Sequence, residues 1–115
     1  MIVSDDWKKY NEYLINKNGT IIGPSGRIVK GTKNSKGYLQ TQGINKKKIL
    51  LHRLIAECYI KCPGEFNEYQ VNHIDGNKIN NNPNNLEWLT KSEHKIKDSI
   101  RRKNDIIKYL KIETI

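Results

Sequence analysis

The sequence predicts an α+β protein: a small N-terminal antiparallel β-sheet and one helix, followed by a β-hairpin and a basic C-terminal helix. Three observations predict this fold. Short β-rich runs between turn signals fill the first half. From Leu51 onward the apolar residues have the spacing of an amphipathic helix. A helix-capping pattern follows two short strands near residue 90.

The predicted strands of the first half are brief, and they cover residues 13–15, 20–22, 27–29, 38–42 and 49–51. Turn signals separate them: Asn18-Gly19, then a Gly-Pro-Ser-Gly run at 23–26, then Asn-Ser-Lys-Gly at 34–37. Residues 45–48 form a basic turn. We therefore expect a small antiparallel sheet with lysine-rich turns.

A helix is predicted from the spacing of apolar residues after position 50, and it ends before the Pro-Gly pair at 63–64. The residues of its apolar stripe fall at i, i+3, i+4, i+7 and i+8: Leu51, Leu54, Ile55, Cys58 and Tyr59. His52 at the helix start is interpreted as a packing or capping residue. Cys58 and Cys62 lack an obvious full set of four zinc ligands, so we expect free thiols.

The next segment predicts a hairpin and a helix. Residues 71–74 form a strand, Asp75-Gly76 a turn, 77–85 an asparagine-rich loop and 86–89 the returning strand. Thr90 and Glu93 have the spacing of a capping box. We expect the helix that follows to bury Ile96 and Ile100, to break at residues 104–105 and to resume as an apolar tail.

The positive charge lies at the two ends of the chain. The net charge is +9, with ten Lys/Arg against three Asp/Glu in residues 1–49, three against five in 50–90 and eight against four in 91–115. A neutral-to-acidic middle between basic segments favours a polyanion partner. The predicted DNA-contacting residues are basic and lie in these segments: Lys30, Lys33, Lys36, Lys46, Lys47, Lys48, Lys95, Arg101 and Arg102.

Four polar side chains can converge if the helix folds back on the hairpin: Asn72, His73, Asn85 and His94. Phosphodiester hydrolysis requires a base for the attacking water and positive charge near the departing oxygen. Histidine suits the first role and a divalent metal the second. Adjacent strand residues point to opposite faces, so positions 72 and 73 divide these two tasks.

These residues carry a family resemblance. The run Val-Asn-His-Ile-Asp-Gly-Asn at 71–77, Asn-Leu-Glu-Trp at 85–88 and Ser-Glu-His at 92–94 resembles the HNH nuclease motif, in the form found in phage and intron homing endonucleases. Lys-Gly-Tyr-Leu at 36–39 and Leu-His-Arg-Leu-Ile-Ala at 51–56 resemble the region that precedes it. The resemblance covers residues 36–94 well and 1–35 weakly.

The resemblance implies a ββα-metal fold with His73 as general base, Asn72 and His94 as metal ligands and Asn85 as a loop-bracing residue. It implies a nuclease that cuts double-stranded DNA, nicks one strand per site and leaves 5′-phosphate and 3′-hydroxyl ends. Relatives often have Asp or His at position 72, and an amide binds Mg²⁺ less strongly than a carboxylate. Mg²⁺ or Mn²⁺ is the expected cofactor, and Ni²⁺ or Zn²⁺ also binds histidine nitrogen.

We therefore expect a basic DNA-binding region (1–49), an HNH core (50–103) and a helical tail (104–115). No apolar run approaches the roughly 20 residues of a membrane span, so we expect a cytoplasmic protein. A double-strand break requires a homodimer or two successive nicks. Two other readings remain open: a DNA-binding protein that keeps the fold but does not cut, which Asn72 favours, and, more remotely, an RNA-binding module.

Overall fold

The computed structural model describes residues 6–43 and 46–110, the last six of these in backbone only. In chain order the strands are β1 (Trp7–Tyr10), β2 (Tyr13–Asn16), β3 (Ile21–Ile22), β4 (Thr32–Lys33), β5 (Leu39–Gln42), β6 (Lys48–Leu50), β7 (Tyr69–His73) and β8 (Leu86–Thr90). The helices are α1 (Leu51–Tyr59) and α2 (Lys91–Leu110). The α+β class is confirmed.

The N-terminal half contains two antiparallel three-stranded sheets, β1-β2-β3 and β4-β5-β6, rather than the single small sheet that we predicted. The predicted strand at 27–29 is wrong, because only one bridge forms there, between Ile22 and Ile28. Gly31 has a φ of 71° and redirects the chain into β4. A Cβ at this glycine would lie 2.7 Å from Leu51 Cδ1, so the turn requires glycine.

The predicted first helix is confirmed as α1, and it supplies the centre of the core. Ile15 of β2 and Ile55 of α1 are fully buried. The same hydrophobic cluster includes side chains of β3, β7 and β8. The regions 1–49 and 50–103 therefore share a core. Since the apolar stripe of α1 reaches both regions, α1 holds the N-terminal sheets against the hairpin of β7 and β8.

The last helix differs from its prediction in two ways. It runs without a break through residues 104–105, since Asn and Asp are only modestly worse helix formers than Ala. The expected burial of Ile96 and Ile100 is also wrong, as they are 59% and 54% exposed. Residues 111–115 of the predicted tail lie outside the described residues.

The face of α2 that meets the hairpin is polar. Lys97 forms an ion pair with Glu87 of β8, and His94 lines a cavity beside β7. Positions 94, 97, 98 and 101 share one helix face, and Ile96 and Ile100 lie away from it. Within the described part of the chain, no helix is long and apolar enough to cross a membrane.

Candidate active site

The hairpin places Asn72 and His73 next to each other on β7. Strands β7 and β8 pair antiparallel, with Asn72 opposite Glu87 and His73 opposite Leu86. Both side chains are buried, at 5% and 4% exposure. Their neighbours differ as the alternation of a strand requires. The His73 ring is 5.0 Å from the His52 ring on α1, whereas Asn72 Nδ2 donates to Glu87 Oε1 at 3.0 Å.

The Asn72 amide is oriented by this hydrogen bond. A carboxylate only accepts, so the NH₂ group of Asn72 must face Glu87. The carbonyl oxygen Oδ1 is then free of that contact and available to a ligand. Lys97 forms an ion pair with the same oxygen of Glu87, Oε1. Glu87 therefore connects β8, β7 and α2 at the place where Asn72 lies.

The asparagine-rich loop is closed by hydrogen bonds from Asn85. Its Nδ2 donates to Asp75 Oδ1 at 2.8 Å and to the Asn80 carbonyl at 2.9 Å, and its Oδ1 accepts from the Asp75 backbone amide at 3.0 Å. The Asp75 carboxylate also accepts from Asn80 Nδ2 and from the Asn77 backbone amide. These hydrogen bonds lower the pKa of Asp75, with Asn80 the largest contributor. Asp75 is the turn residue that we predicted.

His73 has a partner that the sequence did not indicate. Its Nε2 lies 2.7 Å from Oδ1 of Asn81, in the middle of the loop. An amide oxygen only accepts, so in the neutral ring Nε2 carries the hydrogen and Nδ1 keeps its lone pair. The rings of Tyr38 and His52 lie 5.8 and 5.0 Å from the His73 ring. These contacts fix both the orientation and the tautomer of His73.

The predicted capping box fixes the start of α2. The Thr90 backbone amide donates to Glu93 Oε1 at 3.0 Å, and the Glu93 amide donates to Thr90 Oγ1 at 3.2 Å. The hydrogen bond from the Thr90 backbone amide, and then the Thr90 hydroxyl, lower the pKa of the Glu93 carboxyl group. His94 follows in the first helical turn, with its Nδ1 3.4 Å from Asp98 Oδ2 one turn later.

A cavity of about 140 Å³ brings most of the predicted site together. It is lined by residues of β7, α2, the loop after β7 and the turn before β5: Tyr38, Asn72, His73, Gly76, Lys78, His94, Asp98 and Arg101. Asn85 braces the adjacent loop and is absent from this lining. An amide oxygen and an imidazole nitrogen are donors that divalent metals accept, so the residues present fit a metal. No cluster of three His, Cys, Asp or Glu side chains arranged for a metal occurs among the described residues.

The predicted DNA-contacting residues are spread over the surface. Arg101 lines the cavity, and Lys36 and Lys48 line a neighbouring cleft of about 550 Å³. That cleft shares Tyr38 and His94 with the cavity, so it leads directly to the site. The remaining predicted residues do not line either space: Lys30, Lys33, Lys46, Lys47, Lys95 and Arg102.

Several residues at the site were missed from sequence: Lys78, Asn81, Glu87 and Asp98. The spacing of Asp98, four residues after His94, was a usable signal. Lys78 donates from Nζ to the Lys36 carbonyl at 2.8 Å and lies 4.9 Å from the centre of the Tyr38 ring. No local pattern distinguishes it from the other lysines.

His52 is a buried packing residue, as predicted. It is 6% exposed, its ring centre is 4.9 Å from that of Tyr38, and its Nδ1 has no hydrogen-bond partner among the described residues. Burial, and then the charges of His73 and Arg53, lower its pKa from 6.5 to about 4. His52 is therefore neutral at physiological pH. Cys58 and Cys62 are free thiols.

A two-stranded hairpin, a braced loop and a crossing helix that together present two histidines and an asparagine define a nuclease domain of the ββα type. Residues 50–96 match a family model described as HNH endonuclease. The chain belongs to the HNH homing endonuclease family.

Individual relatives agree with this assignment. The chain is 41% identical over 91 residues to the uncharacterized HNH endonuclease L245 of Acanthamoeba polyphaga mimivirus, covering 75% of this chain and 27% of the relative. It is 35% identical over 103 residues to the H-N-H endonuclease F-TflII of Escherichia phage T5, covering 85% and 53%. The chain thus spans from about a quarter to about half of these relatives.

A solved structure is also similar. The HNH homing endonuclease I-HmuI, from a study of its DNA binding and cleavage, matches with a TM-score of 0.65 and 27% sequence identity. The match covers 89% of this chain and 66% of that one. The similarity therefore extends from the hairpin into the N-terminal sheets, beyond the segment that the family model matches.

Proposed function

We propose that this protein is a metal-dependent DNA endonuclease that nicks one strand of double-stranded DNA per active site and leaves 5′-phosphate and 3′-hydroxyl ends. The observation that carries the proposal is the cavity where His73 lies beside Asn72 and His94. Its neighbouring cleft, with Lys36 and Lys48 on its walls, suits a phosphate backbone. Family membership supports the same activity.

In this proposal His73 is the general base. Hydrolysis needs a group that removes a proton from the attacking water, and imidazole does this near neutral pH. The contact between His73 Nε2 and Asn81 leaves Nδ1 as the basic nitrogen. Because the ring is buried between the loop and two aromatic neighbours, little motion is needed to place it. Asn85 supports the base indirectly by closing the loop that carries Asn81.

We assign the metal to Asn72 and His94, with Mg²⁺ or Mn²⁺ as the cofactor. Asn72 presents its carbonyl oxygen because Glu87 accepts from its NH₂ group. A divalent metal supplies positive charge next to the departing 3′-oxygen when it is bound. Ni²⁺ and Zn²⁺ also bind imidazole nitrogen. The cationic Arg101, on the same cavity wall, is placed to contact a phosphate oxygen.

One site cuts one strand. A double-strand break therefore needs a second copy of the chain on the opposite strand or two successive nicks. We propose the nick as the basic event, because the described residues of one chain form one such cavity. Whether a homodimer forms on DNA is decided by comparing the ratio of linear to nicked product at increasing protein concentration.

The test measures how fast the protein nicks a supercoiled plasmid that carries a target, in the presence of Mg²⁺ or Mn²⁺. The intact chain is compared with His73→Ala. The intact chain should convert plasmid to the nicked form, and His73→Ala should do so at least about 100-fold more slowly. If the intact chain shifts DNA in a gel but never nicks it, the protein is a non-cutting DNA-binding member of the family. Equal nicking by both chains removes His73 from the role of base.

A further inference from the structure

Among the described residues, Asp98 is the one carboxylate that lines the cavity shared by Asn72, His73 and His94. We propose that Asp98 is a third protein ligand of the metal and supplies the negative charge that Asn72 lacks. The proposal rests on the proposed nuclease function and adds a residue to its metal site.

The distance between Asp98 and His94 supports shared coordination. Residues four apart lie on the same face of a helix, so both side chains point to the cavity. His94 Nδ1 and Asp98 Oδ2 are 3.4 Å apart, beyond ordinary hydrogen-bond length. Two donors that are each about 2.1 Å from one cation are about 3.0 to 3.5 Å apart at octahedral or tetrahedral angles. The observed separation falls in this interval.

The charges on the cavity lining favour an anion next to the metal. Lys78 and Arg101 on its lining are cationic, and Asn72 contributes only a neutral amide oxygen. Two cationic neighbours and no carboxylate would repel a divalent cation. A carboxylate at position 98 offsets this repulsion at the point where the cation must lie. The side chain of Asp98 is 46% exposed, so it is free to turn toward a bound ion.

The three proposed ligands come from two elements of the site, the strand β7 and the helix α2. Asn72 is held on β7 by its hydrogen bond to Glu87, while His94 and Asp98 are carried by α2. A set of one amide oxygen, one imidazole nitrogen and one carboxylate leaves open positions for phosphate and water, which Mg²⁺ and Mn²⁺ sites usually keep. Position 98 therefore compensates within the same cavity for the amide at position 72.

The test measures Mn²⁺ binding to the purified chain without DNA, by the electron paramagnetic resonance signal of free Mn²⁺. The variants are Asp98→Asn, Asn72→Asp and the double variant. Glu12→Gln, an exposed carboxylate elsewhere, is the control for net charge. We expect Asp98→Asn to weaken Mn²⁺ binding about 10- to 100-fold. Adding Asn72→Asp should restore the affinity to within roughly threefold of the unmodified chain, since it returns one carboxylate to the site.

Two results would overturn the proposal and leave the nuclease function standing. One is that Asp98→Asn binds Mn²⁺ as tightly as the unmodified chain, whereas Asn72→Ala and His94→Ala no longer bind it. The other is an equal loss from Asp98→Asn with and without Asn72→Asp, because a carboxylate at position 72 then does not replace the carboxylate of Asp98. If the unmodified chain binds no Mn²⁺, the three-ligand site is refuted, and plasmid nicking decides the nuclease function separately. Thermal unfolding checks that every variant is folded.

Discussion

His73 and Asn81, eight positions apart in the chain, are joined by a hydrogen bond of 2.7 Å from ring nitrogen to amide oxygen. The bond connects the proposed base to the loop that Asn85 closes, so hydrogen bonding in the loop controls the tautomer of the histidine. A histidine base is effective only when the nitrogen facing the water is unprotonated. In the proposed mechanism the loop therefore positions the base, although it touches no reacting atom.

Asn81→Ala should lower the kcat of plasmid nicking about 10- to 100-fold, the usual cost of losing a group that orients a histidine. KM for DNA should change little, since the substitution removes no positive charge. Asn81→Asp, whose carboxylate also accepts from Nε2, should retain more activity than Asn81→Ala. Asn84→Ala is the matched control, because it is an exposed asparagine of the same loop.

The hydrogen bond between His73 and Asn81 also predicts that the effects of substituting the two residues on nicking are not additive. In the His73→Ala background, Asn81→Ala should cost almost nothing more, since its effect passes through the missing ring. A further tenfold loss in the double variant would show that Asn81 acts on something other than His73.

Asn85→Ala should reduce the free energy of unfolding by about 1 to 3 kcal/mol, because it removes three hydrogen bonds to Asp75 and Asn80 that close the loop. Urea denaturation at pH 7 measures this loss. Asn84→Ala again serves as the control and should stay within about 0.5 kcal/mol of the unmodified chain. Equal effects of the two substitutions would contradict a bracing role for Asn85.

His52 should make the stability fall in mild acid. Its pKa is about 4 in the folded protein and 6.5 in the unfolded chain, so only the unfolded chain takes up a proton between these values. The resulting loss of folding stability is absent above pH 6.5 and grows as the pH falls toward 4. His52→Phe keeps an aromatic ring beside Tyr38 and His73 but cannot be protonated.

Comparison of urea denaturation at pH 7 and pH 4.5 tests this expectation. Between these two conditions His52→Phe should gain roughly 2 to 3 kcal/mol of stability relative to the unmodified chain. Carboxylates titrate in both proteins and cancel in the comparison. Parallel pH profiles would mean that His52 is protonated without cost in the fold.

Lys36 and Lys48 should contribute to the salt dependence of DNA binding because they line the cleft beside the site. Each phosphate contact contributes about 0.9 to the slope of log K against log salt, so Lys36→Ala with Lys48→Ala should flatten the slope by about 2. Lys61, exposed beyond α1 and outside this cleft, provides the control Lys61→Ala. A slope unchanged by the double substitution would place the DNA on another face.

Local patterns predicted the elements that depend on nearby residues. The stripe from Leu51 predicted α1, and the spacing of Thr90 and Glu93 predicted the start of α2, because both patterns reflect contacts within one or two turns. The expected burial of Ile96 and Ile100 failed because apolar periodicity does not reveal which face meets a neighbour. Here the polar contacts of Lys97 and His94 determine that face.

Contacts between distant segments were beyond the sequence patterns. The convergence of Asn72, His73 and His94 on one cavity followed from the motif, whereas Asn81 stands in a run of asparagines that are locally equivalent. Which of them reaches His73 depends on how the whole loop closes. The split of the N-terminal half into two sheets likewise depends on the positive φ of Gly31, which allows a change of direction that strand propensity does not record.

The polar docking of α2 has a thermodynamic consequence. Exposed charged contacts hold a helix in place only weakly, and the ion pair of Lys97 with Glu87, which joins α2 to the hairpin, is such a contact. A cation bound by Asn72 of β7 and His94 of α2 would join the two elements, and a ligand that binds only the docked arrangement stabilises it by mass action. Helix order and metal occupancy would then be one linked equilibrium, so a substitution far along α2 could change the apparent affinity for the metal without touching a ligand.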